Sequence, residues 1–208
     1  MSEPGQELLR LRQVMHRLRR ECPWDAQQTH RSLVTYLVEE TGEVIDAIET
    51  GDDTDLVEEL GDLLLQVYFH AEIAEQQGRF TLDEVAAGIA DKLIDRHPYV
   101  FGEDEVPDDP KIVWEARKRA EKGRTSSLDG IAQSLSVVAR ATKVASRARN
   151  HHVPIDLPDA PVTADQVGQG IIDLVLRAHA SGIDADQASR EALRALESRI
   201  QQAERDAR

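Results

Sequence analysis

The sequence predicts an all-α protein, a helical bundle, and three observations lead to that prediction. Apolar residues recur at spacings of three and four along most of the chain, which is the period of an amphipathic helix. Glycine, proline and N-cap residues interrupt these runs, as they do between the helices of a bundle. No segment shows a convincing alternation of apolar and polar residues, which is typical of a half-buried strand.

Up to residue 123 the breaker residues separate five predicted helices. Gly51 and Gly78 end the second and third helices, because glycine accepts the left-handed conformation that commonly follows a helix. Asp52 or Asp53 can cap the third helix. Thr81 and Glu84 form a capping box that begins the fourth, and Pro110 suits the first turn of the fifth. The predicted ranges are about 5–20, 30–49, 53–77, 82–96 and 110–123.

Three more helices are predicted after the polar segment GRTSSLDG. Thr163 and Gln166 form a second capping box, which begins the middle one of the three. The predicted ranges are about 131–149, 164–180 and 185–206.

A faint internal repeat relates the two parts of the chain. Residues 59–73 can be aligned with residues 166–180, and in that alignment Glu59 and Asp62 correspond to glutamines. The second copy therefore lacks the acids of the first. A chance likeness between two amphipathic helices is the alternative.

Composition and charge exclude several classes of partner. The chain has 208 residues and a net charge of −14, so it does not attract nucleic-acid phosphates or anionic membranes by default. No apolar run approaches the ~18 residues of a membrane span. The single cysteine, Cys22, allows no intrachain disulfide, which suits a reducing compartment. We expect a cytoplasmic protein with no nucleic-acid or membrane partner.

Two helices carry carboxylates on faces that are otherwise apolar. Glu40 and Glu43 lie one helical turn apart among aliphatic residues of the second helix, and Glu59 and Asp62 have the same spacing on the third. Buried carboxylates need compensation, yet lysine and arginine are absent from residues 32–78. Oxygen donors of this kind suit Mg²⁺ or Mn²⁺ rather than zinc. Acids that face a wet groove or an unidentified partner are the alternative.

The arrangement of these acids resembles a known family. EETGE at 39–43 followed by ELGD at 59–62 fits the E-E-x-x-E … E-x-x-D pattern of the MazG family of all-α nucleoside triphosphate pyrophosphohydrolases. The resemblance covers roughly residues 15–122. Further matching segments, in the family's order, are CPWDAQQTH (22–30), LGDLLLQVYFHA (60–71), GRF (78–80), DKLIDRHPYVF (91–101) and VWEARK (113–118).

The resemblance implies an activity and a fold. The activity is Mg²⁺-dependent hydrolysis of a nucleoside triphosphate to a monophosphate and pyrophosphate, a house-cleaning reaction on non-standard or excess nucleotides. The fold is a helical bundle that is completed by homodimerisation.

The resemblance also implies roles for individual residues. The implied metal ligands are the four acids Glu40, Glu43, Glu59 and Asp62. Glu39 would orient or deprotonate the attacking water. Contacts to the triphosphate and nucleoside would come from Lys92, Arg96, Trp114 and Lys118, and Trp24 either stacks on a base or packs.

The second part of the chain departs from the family pattern. We expect a catalytic domain over residues 1–125 and a degenerate second repeat over 126–208, kept for packing or dimerisation. Two other functions stay open at this point: a non-catalytic sensor of Mg-nucleotide, and a pyrophosphohydrolase specific for a modified nucleotide or an alarmone.

Overall fold

The computed structural model describes residues 5–123 and 125–207, with only the backbone at residues 111, 112, 119 and 122. Within these residues the regular secondary structure is all helix, and there is no strand. The helices are α1 Gln6–Glu21, α2 Pro23–Gln27, α3 Val34–Thr50, α4 Asp53–Gln76, α5 Leu82–Arg96, α6 Pro98–Phe101, α7 Pro110–Lys122, α8 Val137–Asn150, α9 Ala164–Ala180 and α10 Ala185–Asp206. The all-α prediction is confirmed.

The predicted caps are present at the beginnings of the helices. Asp52 accepts hydrogen bonds from the backbone N–H groups of Thr54 and Asp55, at 2.7 and 3.3 Å, and so caps α4. At α5, the backbone N–H of Thr81 donates to Glu84 Oε2 at 2.7 Å, and the N–H of Glu84 donates to Thr81 Oγ1 at 3.2 Å. These bonds satisfy N–H groups that lack partners within the helix.

Two helices begin later than their apolar patterns predict. The predicted helix over 131–149 begins only at Val137, because Ser136 caps it there and the carbonyl groups of residues 131 and 132 instead accept hydrogen bonds from Arg140. Likewise α3 begins at Val34, after a turn in which Thr29 and Ser32 bond each other's backbone N–H groups. Local side-chain bonds compete with the helix in both places.

The short helices α2 and α6 were not predicted. Each begins with a proline, Pro23 or Pro98, whose fixed backbone angle suits a first helical turn. They last five and four residues, too short to show an apolar period.

The chain divides into two compact units, Met1–Asp95 and Arg96–Arg208. The predicted catalytic domain, 1–125, would extend beyond the first of these units, and its boundary stays a prediction.

The first unit has a core that α1, α4 and the turn before α3 share. Met15, Leu33, Tyr68, Phe69 and Ile73 pack together, and each is at most 7% exposed. The chain reverses direction at Gly51, where φ is 76°, and α4 then lies along α3. This α3–α4 pairing places the acid-bearing faces of the two helices next to each other.

The second unit has its own core, in which α8 packs against α10. The buried residues are Ile131, Val144, Ala148, Leu193 and Ile200. Helix α9 contacts α10 and leaves most of its apolar side chains exposed. Among the described residues, no helix is both long and apolar enough to cross a membrane.

Candidate active site

Three of the four predicted metal ligands meet where α3 passes α4. One carboxylate oxygen from each of Glu40, Glu43 and Glu59 lies within 4.8 Å of the other two. Glu40 and Glu43 share one face of α3, and Glu59 lies in the N-terminal part of α4. These three residues and Asp62 are called the acid cluster below.

The fourth acid, Asp62, takes part through its charge. Partial burial is the main cause that raises the pKa of Glu40, and the charges of Asp62 and Glu43 raise it further. Burial also raises the pKa of Glu59, and the neighbouring charges of Glu43, Glu58 and Asp62 add to it. Glu40 and Glu59 therefore ionise less readily than isolated carboxyl groups, and a bound cation would favour their ionised forms.

The acid cluster is more open than the sequence indicated. Glu40, Glu59 and Asp62 are half-buried, whereas Glu43 and the neighbouring Glu39 are exposed. The acids were expected to be buried. Glu40, Glu59 and Asp62 are only half-buried, and for Glu43 the expectation was wrong. The physical reason is that an ionised carboxylate is stable only where water or a counter-charge reaches it.

The donor set fits a hard divalent cation. It offers only carboxylate oxygens, which Mg²⁺ and Mn²⁺ prefer. In the octahedral shell of Mg²⁺, with ligand distances of about 2.1 Å, adjacent oxygens stand about 3 Å apart and opposite ones about 4.2 Å apart. Oxygens that lie within 4.8 Å of one another can therefore reach one ion through side-chain rotation. Mg²⁺ also retains water ligands, which suits the exposed side of the cluster.

Gln66 also lies at the site, although no role was predicted for it. It lies one turn beyond Asp62 on α4, is only 4% exposed, and its Nε2 donates to Glu40 Oε1 at 3.5 Å. Its spacing of four from Asp62 was the available signal, because residues i and i+4 share a helix face.

The predicted substrate contacts fall in different units. Lys92 is half-buried on α5 in the first unit, and Arg96, Trp114 and Lys118 belong to the second. The Arg96 side chain is buried, and its Nη2 donates to Glu121 Oε2 at 2.5 Å.

The Arg96 guanidinium also lies over the ring of Trp114, with its central carbon 4.8 Å from the ring centroid. The His97 ring is 4.9 Å from the same indole, and Lys118 Nζ is 3.8 Å from Glu115 Oε1. Arg96 and Trp114 thus already have protein partners, and their substrate roles stay predictions.

Trp24 lies at the start of the first unit, on α2. It is 50% exposed, and its ring meets those of Tyr36 and Phe69 edge to face at centroid distances of 5.8 and 6.3 Å. One side of the indole therefore packs against the unit and the other stays open to a ligand.

A histidine pair in the first unit was not predicted. His30 Nδ1 and His70 Nδ1 are 2.7 Å apart, and Arg79 Nη2 contacts His30 Nε2. Because arginine only donates, His30 Nε2 must accept, so His30 donates from Nδ1 to His70. Burial, and then the proximity of His30, lowers the pKa of His70. Nothing in the sequence indicates this contact, since the two histidines are forty residues apart.

Comparison with known proteins supports the resemblance seen in the motifs. Residues 28–101 match the family described as the MazG nucleotide pyrophosphohydrolase domain. This range contains the acid cluster, Lys92 and Arg96, whereas Trp24, Trp114 and Lys118 lie outside it.

Two curated relatives extend the match over most of the chain. An uncharacterized 26.1 kDa protein of Streptomyces cacaoi is 43% identical over 206 residues, which cover 97% of this chain and 84% of the relative. The nucleoside triphosphate pyrophosphohydrolase of Escherichia coli K12 is 39% identical over 183 residues, 84% of this chain and 69% of that protein.

A solved structure is also similar. The crystal structure of a mazG-related protein from Thermotoga maritima matches with a TM-score of 0.48 and 28% identity, over 53% of this chain and 98% of that one.

Proposed function

The chain belongs to the MazG family of nucleotide pyrophosphohydrolases, and from that premise we propose that it hydrolyses nucleoside triphosphates to a nucleoside monophosphate and pyrophosphate with Mg²⁺. The observation that carries the proposal is the acid cluster, in which oxygens of Glu40, Glu43 and Glu59 lie within 4.8 Å of one another. The homology to the E. coli enzyme supplies the reaction class.

The reaction is attack of water on the α-phosphorus of the triphosphate. The bond from that phosphorus to the oxygen that bridges it to the β-phosphorus breaks, and pyrophosphate leaves with the electron pair. A bound Mg²⁺ would neutralise phosphate oxygens and make a water molecule more acidic.

The chain's own residues hold the reacting groups in this scheme. Glu40, Glu43, Glu59 and Asp62 would hold the cation. Glu39 is exposed beside Glu40 on α3, where its carboxylate would orient the attacking water or take its proton.

Basic and aromatic side chains bind the rest of the substrate. Lys92 and Arg96 hold the phosphates and stabilise the charge that develops on them, while Trp114, Lys118 and Trp24 contact the nucleoside or the phosphates. For Arg96 this role requires a partial exchange of Glu121 for a phosphate oxygen, since the two side chains are paired in the structure.

The cellular setting follows from the same proposal. The enzyme would act in the cytoplasm as a homodimer that removes non-standard or excess nucleotides. The exposed apolar side chains of α3, such as Val38 at 67% and Ile48 at 60%, support a further copy covering this surface.

A substrate panel tests the proposal directly. Purified protein is incubated with each nucleoside triphosphate, modified nucleotides and an alarmone in the presence of Mg²⁺, and the products are separated. We expect pyrophosphate and the monophosphate, and a large loss of turnover in Glu40→Gln and Asp62→Asn. Orthophosphate release, or full turnover in both variants, would contradict the proposal. Tight nucleotide binding without turnover would instead identify a sensor.

A further inference from the structure

Gln66 is a buried polar side chain on the acid-bearing face of α4. It follows Asp62 by four residues and Glu59 by seven, so all three lie on the same face of the helix. Gln66 is 4% exposed. A neutral amide at this depth needs hydrogen-bond partners.

One end of the amide has a partner and the other has none among the described residues. The Nε2 atom donates to Glu40 Oε1 at 3.5 Å, at the long end of the hydrogen-bond range. The orientation is the one that an ionised Glu40 requires, because a carboxylate only accepts. The Oε1 atom of Gln66 is buried and has no hydrogen-bond partner in the described part of the chain.

Packing alone does not account for an amide at this position. A methionine of similar size would fill the same space without leaving a carbonyl oxygen that lacks a donor. The neighbouring Tyr68 and Phe69 already contribute α4's large side chains to the core. What the amide adds is a hydrogen bond to Glu40 and a free acceptor beside it.

In the second copy of the internal repeat, the residue that corresponds to Gln66 is changed, as are the residues that correspond to the acids. In the alignment of 59–73 with 166–180, Gln66 corresponds to Asp173. Asp173 is exposed and accepts from Arg177 on its own helix at 3.4 Å. The copy that lacks Glu59 and Asp62 thus also lacks the buried amide.

We propose that Gln66 is a positioning residue of the cation site. Its Nε2 directs Glu40 Oε1 into the acid cluster, and its Oε1 accepts a hydrogen bond from a water molecule held beside the cluster. Gln66 does not contact the cation. The inference rests on the proposed function, since it assumes that the acid cluster binds a divalent cation.

Binding of Mn²⁺ alone to the full-length chain, followed by electron paramagnetic resonance of the free ion, tests this role without nucleotide or turnover. Gln66→Met is expected to weaken Mn²⁺ binding about tenfold, because Glu40 loses the hydrogen bond that orients its carboxylate. Thermal melts of the metal-free protein are expected to change little, because methionine keeps the packing. Gln66→Asn retains the amide, but its side chain is too short to reach Glu40. If the methionine variant does not fold, Mn²⁺ affinity is measured in Gln66→Asn, where the same weakening is expected.

A double-mutant comparison separates positioning from a structural role. If Gln66 acts through Glu40, the effect of Gln66→Met disappears in a Glu40→Asp background, which keeps a carboxylate but is too short to meet Gln66, and persists in a Glu43→Gln background. Glu72→Gln is the matched control, since Glu72 is 5% exposed on the same helix but bonds His16 and Gln76. This control is expected to lower the melting temperature and to leave Mn²⁺ affinity unchanged.

The outcomes distinguish this inference from the function beneath it. Unchanged affinity in Gln66→Met, beside normal binding by the wild type, would overturn the role of Gln66 and leave the cation site in place. Equal weakening in both backgrounds, together with a lower metal-free melting temperature, would show a structural role only. Failure of the wild type to bind Mn²⁺ would overturn the cation site and this inference together.

Discussion

At Glu40, the stability of the metal-free fold and the proposed binding of a cation place opposite demands on one side chain. Partial burial and the charges of Asp62, Glu43 and Glu59 raise its pKa, so its ionised form costs the metal-free fold some stability near neutral pH. The side chain that we propose as a cation ligand is therefore also one whose ionised form destabilises the metal-free fold.

Glu40→Gln tests this conflict. We expect the metal-free variant to melt at a higher temperature than the wild type. The gain in unfolding free energy should be less than about 1 kcal/mol, because solvent screens the site. The rise in melting temperature that Mg²⁺ gives the wild type is expected to disappear. Glu49→Gln, an exposed change on the same helix, is the control. A Glu40→Gln variant that Mg²⁺ still stabilises would show that Glu40 is not a ligand.

The His30–His70 pair predicts a dependence of stability on pH. Burial and the neighbouring His30 lower the pKa of His70 in the folded state, so the unfolded chain takes up a proton at a higher pH than the folded one. The stability that this histidine contributes is full above the ordinary pKa of about 6.5 and decreases as the pH falls below it.

His70→Asn is expected to make the unfolding free energy less dependent on pH between about 7 and 5. The measurement is chemical denaturation across that range, with the difference between variant and wild type taken at each pH. The other titrating groups are common to both proteins, so they cancel in the difference. An identical pH slope in the two proteins would contradict the protonation scheme.

Features of the fold that depend on interactions between nearby residues could be predicted from the sequence, and features that depend on distant residues could not. The caps at Asp52, Thr81 and Thr163 are local and were predicted from the sequence. The delayed start of α8 depends on Arg140, whose guanidinium bonds carbonyl groups eight and nine residues earlier. The contact of His30 with His70 depends on tertiary packing, which no local pattern records.

The same distinction applies to the candidate site. Spacings of three and four identified the acids, because helical geometry fixes which residues share a face. How exposed each acid is could not be predicted, since this depends on how closely α3 and α4 pack and on what else covers the side chains.

At the scale of the helix, the cap of α4 positions half of the acid cluster. Asp52 accepts from two N–H groups at the beginning of α4, and these bonds lower the pKa of Asp52. Asp52→Ala is expected to lower the urea midpoint of unfolding, because two N–H groups at the beginning of α4 lose their acceptor. Asp53→Ala is the control, because Asp53 lies in the first turn without the capping role. Equal losses in the two variants would contradict the assignment of the cap.

In the second unit, α10 fixes a turn through Glu204. Its carboxylate accepts from Ser126 Oγ and the Ser127 N–H, both at 2.6 Å. Burial raises the pKa of Glu204, but these hydrogen bonds together outweigh it, so the pKa is lowered. The stabilisation is therefore present above the ordinary pKa and is lost as the pH falls through the folded value.

Glu204→Gln is expected to lower the unfolding free energy by about 1–3 kcal/mol, because a half-buried carboxylate that accepts two bonds is replaced by an amide that matches them poorly. Urea denaturation at neutral pH checks this. The difference from the wild type should shrink in acid, below about pH 4. An unchanged difference in acid would contradict the role of the charge.

The described residues form two hydrophobic cores, one in each unit, and the acid cluster lies in the first unit. Ile200 is fully buried among the residues of the second core. Ile200→Ala is expected to cost about 2–5 kcal/mol of stability while leaving the Mg²⁺ affinity of the remaining folded protein unchanged. The readouts are thermal denaturation and calorimetric titration with Mg²⁺ below the melting temperature. A parallel loss of Mg²⁺ affinity would show that the cation site depends on the second unit.

The central claim is that the acid cluster supports a Mg²⁺-dependent attack of water on the α-phosphorus. The most direct measurement is ³¹P nuclear magnetic resonance of a nucleoside triphosphate turned over in ¹⁸O-labelled water, with Mg²⁺ and then with a chelator. We expect pyrophosphate without label, a monophosphate that carries one ¹⁸O atom, and no reaction once the chelator is added. Label in the pyrophosphate, release of orthophosphate, or turnover that continues without a divalent cation would contradict it.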